Sequence, residues 1–289
     1  MSDKPMLTHP PKTSIHDLLE RYDLFLIDAY GVLMTTAGPL PGAREFLAAI
    51  DEAPQKDYFI LTNDASRTPE TCVRVYAERG LPVPLDKVLS AGVAIIETFK
   101  SEKLEGSRTC VLGTADTHEC VRRAGGVIGA ITAETDYDVL VIGDDSGFNF
   151  LPTMNDLLTC THRLIAKGRK PRFLLANPDL LYPRSNDSFG FTSGSLAKFL
   201  EIGLKDLHPD LDLDFEVLGK PSSLLYDLAL ARTNTPRAKT VMLGDQLHTD
   251  IAGAERAGLD SALLATGVTQ LPLKETATHR PTYILESLS

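Results

Sequence analysis

The feature that most constrains this chain is an alternation that runs along its whole length. Short, nearly all-apolar runs are separated by longer stretches with helical periodicity. The runs fall at 24–27, 58–62, 109–112, 139–142, 173–176, 215–217, 240–243 and 261–264. A strand exposed on one face alternates polar and apolar residues. Continuous Val, Ile, Leu and Phe instead mark strands covered on both faces of a parallel sheet. Helix starts and stops lie between the runs. Ser14 followed by Asp17 predicts a capped helix through Tyr22, and Thr68-Pro69 opens a second that Gly80 closes. Pro221 opens a third over 222–232. The repeated βαβα order predicts an α/β fold, a doubly wound, Rossmann-like parallel-sheet core. Residues 1–13, with three prolines, are expected to form a loose arm.

At roughly 100–200 residues per domain, a length of 289 residues suggests two domains. Asp plus Glu number 39 against 29 Lys plus Arg, a formal net charge of −10. Such a chain has no global electrostatic attraction for nucleic acid or an anionic membrane. To handle a phosphorylated ligand it needs a local device: a metal ion, a helix N-terminus or a placed lysine. Cys72, Cys110, Cys120 and Cys160 form no CxxC pair and have no histidine at zinc spacing. They read as thiols of a reducing compartment rather than as ligands or nucleophiles. The N-terminal residues lack the apolar run of a signal peptide, and no apolar stretch is long enough to span a bilayer. The expectation is a soluble, cytoplasmic protein.

Ligands of doubly wound sheets bind beyond the carboxyl ends of the strands, so the residues that follow each run matter most. Asp28-Ala-Tyr30-Gly-Val follows the first, and Thr62-Asn63-Asp64 ends the second. Gly244-Asp245-Gln-Leu-His248-Thr-Asp250 follows 240–243, and Gly219-Lys220-Pro221 precedes a helix. Asp28, Asp245 and Asp250 on converging strand ends would repel one another without a cation. Oxygen-only donors favour a hard ion such as Mg²⁺. A carboxylate beside that ion can attack phosphorus as a covalent nucleophile. Lys220, Thr62 and Asn63 are the residue types that stabilise a transferring phosphoryl group.

These four segments, in this order, resemble the ordered motifs of the haloacid dehalogenase superfamily. The long interval between Asn63 and Lys220 resembles class IIA, the NagD-like and p-nitrophenyl-phosphatase-like hydrolases with an inserted α/β cap domain. Further similarity lies in Leu61-Thr-Asn-Asp-Ala-Ser-Arg-Thr-Pro69, Val141-Ile-Gly-Asp144 and Ala176-Asn177-Pro178-Asp179. The resemblance implies a core of residues 1–89 and 190–289 with a cap of residues 90–189. It implies Mg²⁺-dependent hydrolysis of a small phosphomonoester through an aspartyl-phosphate. Asp28 would be nucleophile and metal ligand, and Tyr30 would lend the metal its backbone carbonyl. Thr62 and Asn63 would bond phosphoryl oxygens, and Lys220 would pair with nucleophile and phosphate. Asp245 would bind the metal, and Asp250 would bind it or orient its waters. Caps of this kind also admit a homodimer.

One position departs from the family pattern. Most phosphatases of the superfamily carry a second Asp two residues after the nucleophile, to protonate the leaving oxygen, and here that position is Tyr30. A phenol with a reference pKa near 10 is a poor general base at neutral pH. The expectation is slow or narrow turnover, with an impaired protein that binds a phosphorylated metabolite as the alternative. His248 and Asp64 are the nearest substitutes for the missing acid. His248 also reads as a loop histidine, and Asp64 as a turn residue. Asn177 and Asp179 fall in the cap, where substrate recognition and a simple Asn-Pro-Asp turn are equally consistent with the sequence.

Overall fold

The computed structural model describes residues 10–183, 188–265, 269 and 271–289. The chain divides into two compact units. One comprises Met1–Thr62, Val73–Val88 and Pro221–Ser289, and the other Asn63–Cys72 and Leu89–Lys220. All eight predicted strands are present, their ends displaced by at most one residue.

The first unit is built on a seven-stranded sheet. Its spatial order is Lys12–Thr13, Tyr283–Leu285, Asp260–Leu264, Thr240–Gly244, Leu24–Asp28, Asp57–Thr62 and Val88–Ser90. Leu24–Asp28 lies between Thr240–Gly244 and Asp57–Thr62 and is parallel to both. Every residue of Leu24–Asp28 and of Thr240–Gly244 is buried, as expected of strands covered on two faces. Register aligns Ile27 with Leu243 and Asp28 with Leu61. The carboxyl ends of the three strands therefore finish level with one another, at the point where the strand order reverses.

The helix signals are realised locally. Ile15–Arg21 begins with a capping box in which the Asp17 N–H donates to Ser14 Oγ at 3.1 Å and the Ser14 N–H donates to Asp17 Oδ2 at 3.1 Å. Pro69–Glu78 follows Thr68, whose hydroxyl accepts from the Thr71 N–H at 3.3 Å. The third helix starts later than expected, at Leu224 rather than 222. The Ser222 hydroxyl accepts from the Leu224 N–H at 3.4 Å, a side-chain bond that competes with an earlier helical start. The N-terminal expectation also needs correction. Residues 1–9 lie outside the described set, but Lys12–Thr13 is an edge strand rather than a loose arm. The Ile284 N–H donates to the Pro11 carbonyl at 2.9 Å, and Lys12 pairs with Glu286.

The second unit carries a five-stranded sheet ordered Glu216–Val217, Arg172–Leu175, Val139–Ile142, Arg108–Leu112 and Val127–Ile128, each strand parallel to its neighbours. Helices Phe150–Ala166 and Ser193–Leu207 contribute Met154, Leu157, Leu200 and Leu204 to a core shared with Leu140 and Phe173. The core of the first unit was expected to resume at residue 190, yet the second unit runs on to Lys220. The reason is packing: Ser193–Leu207 buries its apolar stripe in this core, and Glu216–Val217 pairs with Arg172–Leu175. All four cysteines are buried, and burial pushes the Cys110 and Cys120 thiols up to about 12. That suits structural thiols rather than nucleophiles. Among the described residues no helix is long and apolar enough to cross a membrane.

Leu204 has no exposed surface. Leu204→Ala should cost about 2–5 kcal/mol in urea unfolding. A loss typical of a surface site, within about 0.5 kcal/mol, would remove this helix from the second core.

Candidate active site

Three carboxylates meet in the first unit. Asp28 ends Leu24–Asp28, Asp245 follows Thr240–Gly244, and Asp250 lies in the wide π-type turn Leu247–Ile251 before helix Ala252–Ala257. One oxygen from each lies within 4.8 Å of the others, and exposures are 7%, 0% and 1%. At about 4 Å and an effective dielectric near 20, a like-charged pair costs about 4 kcal/mol. Three such groups in one buried cluster therefore call for a counter-charge. Every donor is a carboxylate oxygen, with no sulfur or imidazole among them. That donor set suits a hard divalent cation such as Mg²⁺ rather than zinc or copper.

Local backbone devices make the cluster compact. Gly31 adopts φ +95°, and a Cβ there would sit 2.3 Å from Asp245 Oδ2. The turn that carries it is closed by the Gly31 N–H on the Met34 carbonyl at 2.9 Å and by the Leu33 and Met34 N–H groups on the Ala29 carbonyl, both at 3.0 Å. Gly244 is required by close approach, since its Cβ would lie 2.1 Å from Asp250 Cβ. Asp250 Oδ2 accepts the N–H groups of Asp245 and Gln246, both at 3.1 Å. Its carboxylate is thus aimed by backbone at the loop that bears Asp245. The Tyr226 hydroxyl donates to the Asp250 carbonyl at 3.0 Å, which anchors the turn from the helix Leu224–Ala231. Tyr226 and Gly31 escaped the sequence reading. The glycine had a signal, immediate succession to a motif residue, but the tyrosine had none.

Lys220 and Asn63 belong to the second unit, and both are buried. They are clamped together although far apart in sequence. The Asn63 side-chain NH₂ donates to the Lys220 carbonyl at 3.0 Å, and the Lys220 N–H donates to Asn63 Oδ1 at 2.7 Å. Gly219 makes the clamp feasible, because a Cβ there would meet Ala176 O at 2.4 Å and Asn63 Oδ1 at 2.6 Å. Thr62, the last residue of Asp57–Thr62, is buried in the first unit.

The remaining candidates have other local employment. Asp64 Oδ1 accepts from Ser66 N and Oγ, and its Oδ2 pairs with Arg67 at 2.6 Å. The Asn177 side-chain oxygen accepts from the Asp179 N–H at 2.9 Å, the Asx turn that Asn-Pro-Asp suggests. His248 is exposed, its ring 6.2 Å from that of His279, which in turn pairs with Glu255 at 2.6 Å. Tyr30 is half-buried, and its hydroxyl accepts from Arg79 Nη1 at 2.9 Å.

Comparison with known proteins agrees with this geometry. Residues 25–126 match a family described as haloacid dehalogenase-like hydrolase, and residues 217–289 match a HAD-hydrolase-like family. A solved structure described as a possible sugar phosphatase of the HAD superfamily, from Cytophaga hutchinsonii, is 31% identical at a TM-score of 0.81, over 96% of this chain and 98% of that one. The chain belongs to the haloacid dehalogenase superfamily. Within that superfamily it is a class IIA hydrolase. The ribonucleotide monophosphatase NagD of Escherichia coli is 27% identical over 91% of this chain and 96% of its own length. A glycerol phosphate phosphatase from Mycobacterium tuberculosis, solved with magnesium, shares the fold at a TM-score of 0.79 and 24% identity, over 94% of this chain and 76% of that one.

Gly31→Ala should lower the melting temperature more than Gly258→Ala. Both positions have positive φ, at +95° and +66°, but only a Cβ at 31 collides with another residue. The strain common to both is about 1–2 kcal/mol. Equal losses in thermal unfolding would show that the contact with Asp245 imposes no constraint.

Proposed function

We propose that this phosphatase-family chain hydrolyses small phosphomonoesters in a Mg²⁺-dependent reaction, through an aspartyl-phosphate formed on Asp28. The observation that supports the reading is the trio of buried carboxylates, Asp28 at a strand end, Asp245 just after one and Asp250 in the turn that follows; Asp28 is proposed as the nucleophile. Asp28, Asp245 and the Tyr30 carbonyl would hold the ion, with Asp250 binding it or orienting its waters. Bound there, Mg²⁺ offsets the carboxylate charge and polarises the phosphoryl oxygens.

The chemistry of the side chains follows. A carboxylate oxygen of Asp28 attacks phosphorus, the ester P–O bond breaks, and the leaving oxygen departs as the anion and takes its proton from solvent water. Water then attacks the acyl phosphate at phosphorus, releasing inorganic phosphate and restoring Asp28. The Lys220 ammonium counters the charge of the transferring group, and Thr62 and Asn63 donate to its oxygens. The proposed cap, residues 90–189, includes Asn177 and Asp179 as candidates for substrate recognition. Substrates are soluble metabolites of a cytoplasmic setting.

Tyr30 sets the rate. General acid–base help is worth about 10²–10⁴-fold, and the phenol at this position is engaged by Arg79. Turnover is therefore fastest for esters whose leaving group needs no proton. A second reading draws on the same hydrogen bond: a protein that binds an intact phosphorylated metabolite and releases it unhydrolysed.

Phosphate release from aryl phosphates, phosphorylated sugars and polyols, nucleotides and pyridoxal phosphate, with Mg²⁺ or with chelator, separates the two readings. Asp28→Asn should reduce Mg²⁺-dependent release by about 10³-fold or more, and unchanged release would overturn the nucleophile assignment. Tyr30→Asp should raise turnover of alkyl phosphates by about 10²-fold. No increase would refute the missing-acid account, and tight binding without hydrolysis in the unsubstituted protein would establish the second reading.

A further inference from the structure

Tyr30 stands where the superfamily pattern places a carboxylate, and its side chain is held from two directions. Arg79 Nη1 donates to the phenol oxygen at 2.9 Å, with the guanidinium carbon 5.8 Å from the ring centroid. The buried ring of Tyr76 meets it edge-on, centroids 6.3 Å apart and planes at 72°. Arg79 is itself placed by a helix ending. Gly80, at φ +89°, terminates Pro69–Glu78, with the Gly80 N–H on the Ala77 carbonyl and the Leu81 N–H on the Tyr76 carbonyl, both at 2.9 Å. A guanidinium at that end is also favoured by the carbonyls of the last turn. On the other side, the peptide following Tyr30 leads into Gly31, which passes against Asp245 with no space for a Cβ. A shift of the Tyr30 side chain is therefore transmitted to a backbone already fitted against a carboxylate of the cluster.

We propose that Arg79 is a positioning residue for the cation site: by holding the Tyr30 phenol it fixes the backbone whose carbonyl is assigned to Mg²⁺. Where the usual carboxylate is replaced by a long aromatic ring, this hydrogen bond takes over the anchoring of the loop. The inference deepens the Mg²⁺-dependent reading above and rests on it. Arg79 touches neither substrate nor metal in this scheme and acts through Tyr30 alone.

The test compares Arg79→Met, Arg79→Lys, Tyr30→Phe and the double variant Tyr30→Phe/Arg79→Met with the unsubstituted protein. Two quantities are read: the Mg²⁺ concentration for half-maximal hydrolysis of an aryl phosphate, and the rise in melting temperature produced by Mg²⁺ alone. Loss of one charge-assisted hydrogen bond should raise the Mg²⁺ midpoint about three- to tenfold in Arg79→Met and in Tyr30→Phe. It should also shrink the Mg²⁺-induced stabilisation, while KM for the ester at saturating Mg²⁺ stays the same. Arg79→Lys should recover part of the loss, and the double variant should match the single ones. Additive effects in the double variant, a changed KM at an unaltered Mg²⁺ midpoint, or no shift at all would each overturn the proposal. If the unsubstituted protein shows neither Mg²⁺-dependent hydrolysis nor Mg²⁺-induced stabilisation, it is the underlying functional reading that falls instead.

Discussion

The repulsion among Asp28, Asp245 and Asp250 is the constraint on which the rest of the first unit depends. Chains do not gather three carboxylates within 4.8 Å in a buried place without compensation. Much of the surrounding structure serves to hold them there. Parallel register brings the ends of Leu24–Asp28 and Thr240–Gly244 level. Two glycines remove the side chains that would force the groups apart. The π-type turn points Asp250 back onto the amides of residues 245 and 246. These amide bonds fix the direction of the carboxylate within the cluster. The overall charge of −10 gives no attraction for phosphate. A divalent cation bound to this cluster would offset two of its three negative charges and offer phosphoryl oxygens a local electrophilic contact.

The second unit follows a different logic. Its sheet and two long helices form an independent apolar core. Lys220 reaches its place because Asn63 binds its backbone at both polar atoms, which leaves the ammonium outside the clamp. A single amide thereby fixes the start of the segment that leads into Pro221. Gly219 is constrained from two sides at once, by a carbonyl and by that amide, so the Gly-Lys-Pro sequence is a packing requirement as much as a chemical one.

Much of this was legible in the chain. Continuous apolar runs announced the seven described strands of four or more residues, because burial on both faces leaves no polar alternation, and also the short strand Glu216–Val217. Asp28, Asp245 and Asp250 were recognisable from their position after such runs. What escaped had no local pattern. Val88–Ser90 and Tyr283–Leu285 are three residues long and owe their conformation to a neighbouring strand. Lys12–Thr13 was read as a loose arm, since three nearby prolines conceal the pairing with the chain's other end. The extension of the second unit to Lys220 follows from tertiary packing of Ser193–Leu207, which periodicity alone does not assign to either core. Tyr226 and Arg79 act through contacts across long sequence separations, and a single sequence contains no mark of them.

Tyr30, proposed to stand where the common superfamily pattern has a second carboxylate, leaves the carboxylate cluster intact. The account therefore stands or falls on whether that cluster binds a divalent ion. Calorimetric titration of Mg²⁺ into metal-free protein, beside Asp245→Asn, measures this directly. One bound equivalent in the unsubstituted protein, lost or severely weakened in Asp245→Asn, is the predicted result. Absence of binding, or equal binding by both proteins, would contradict it.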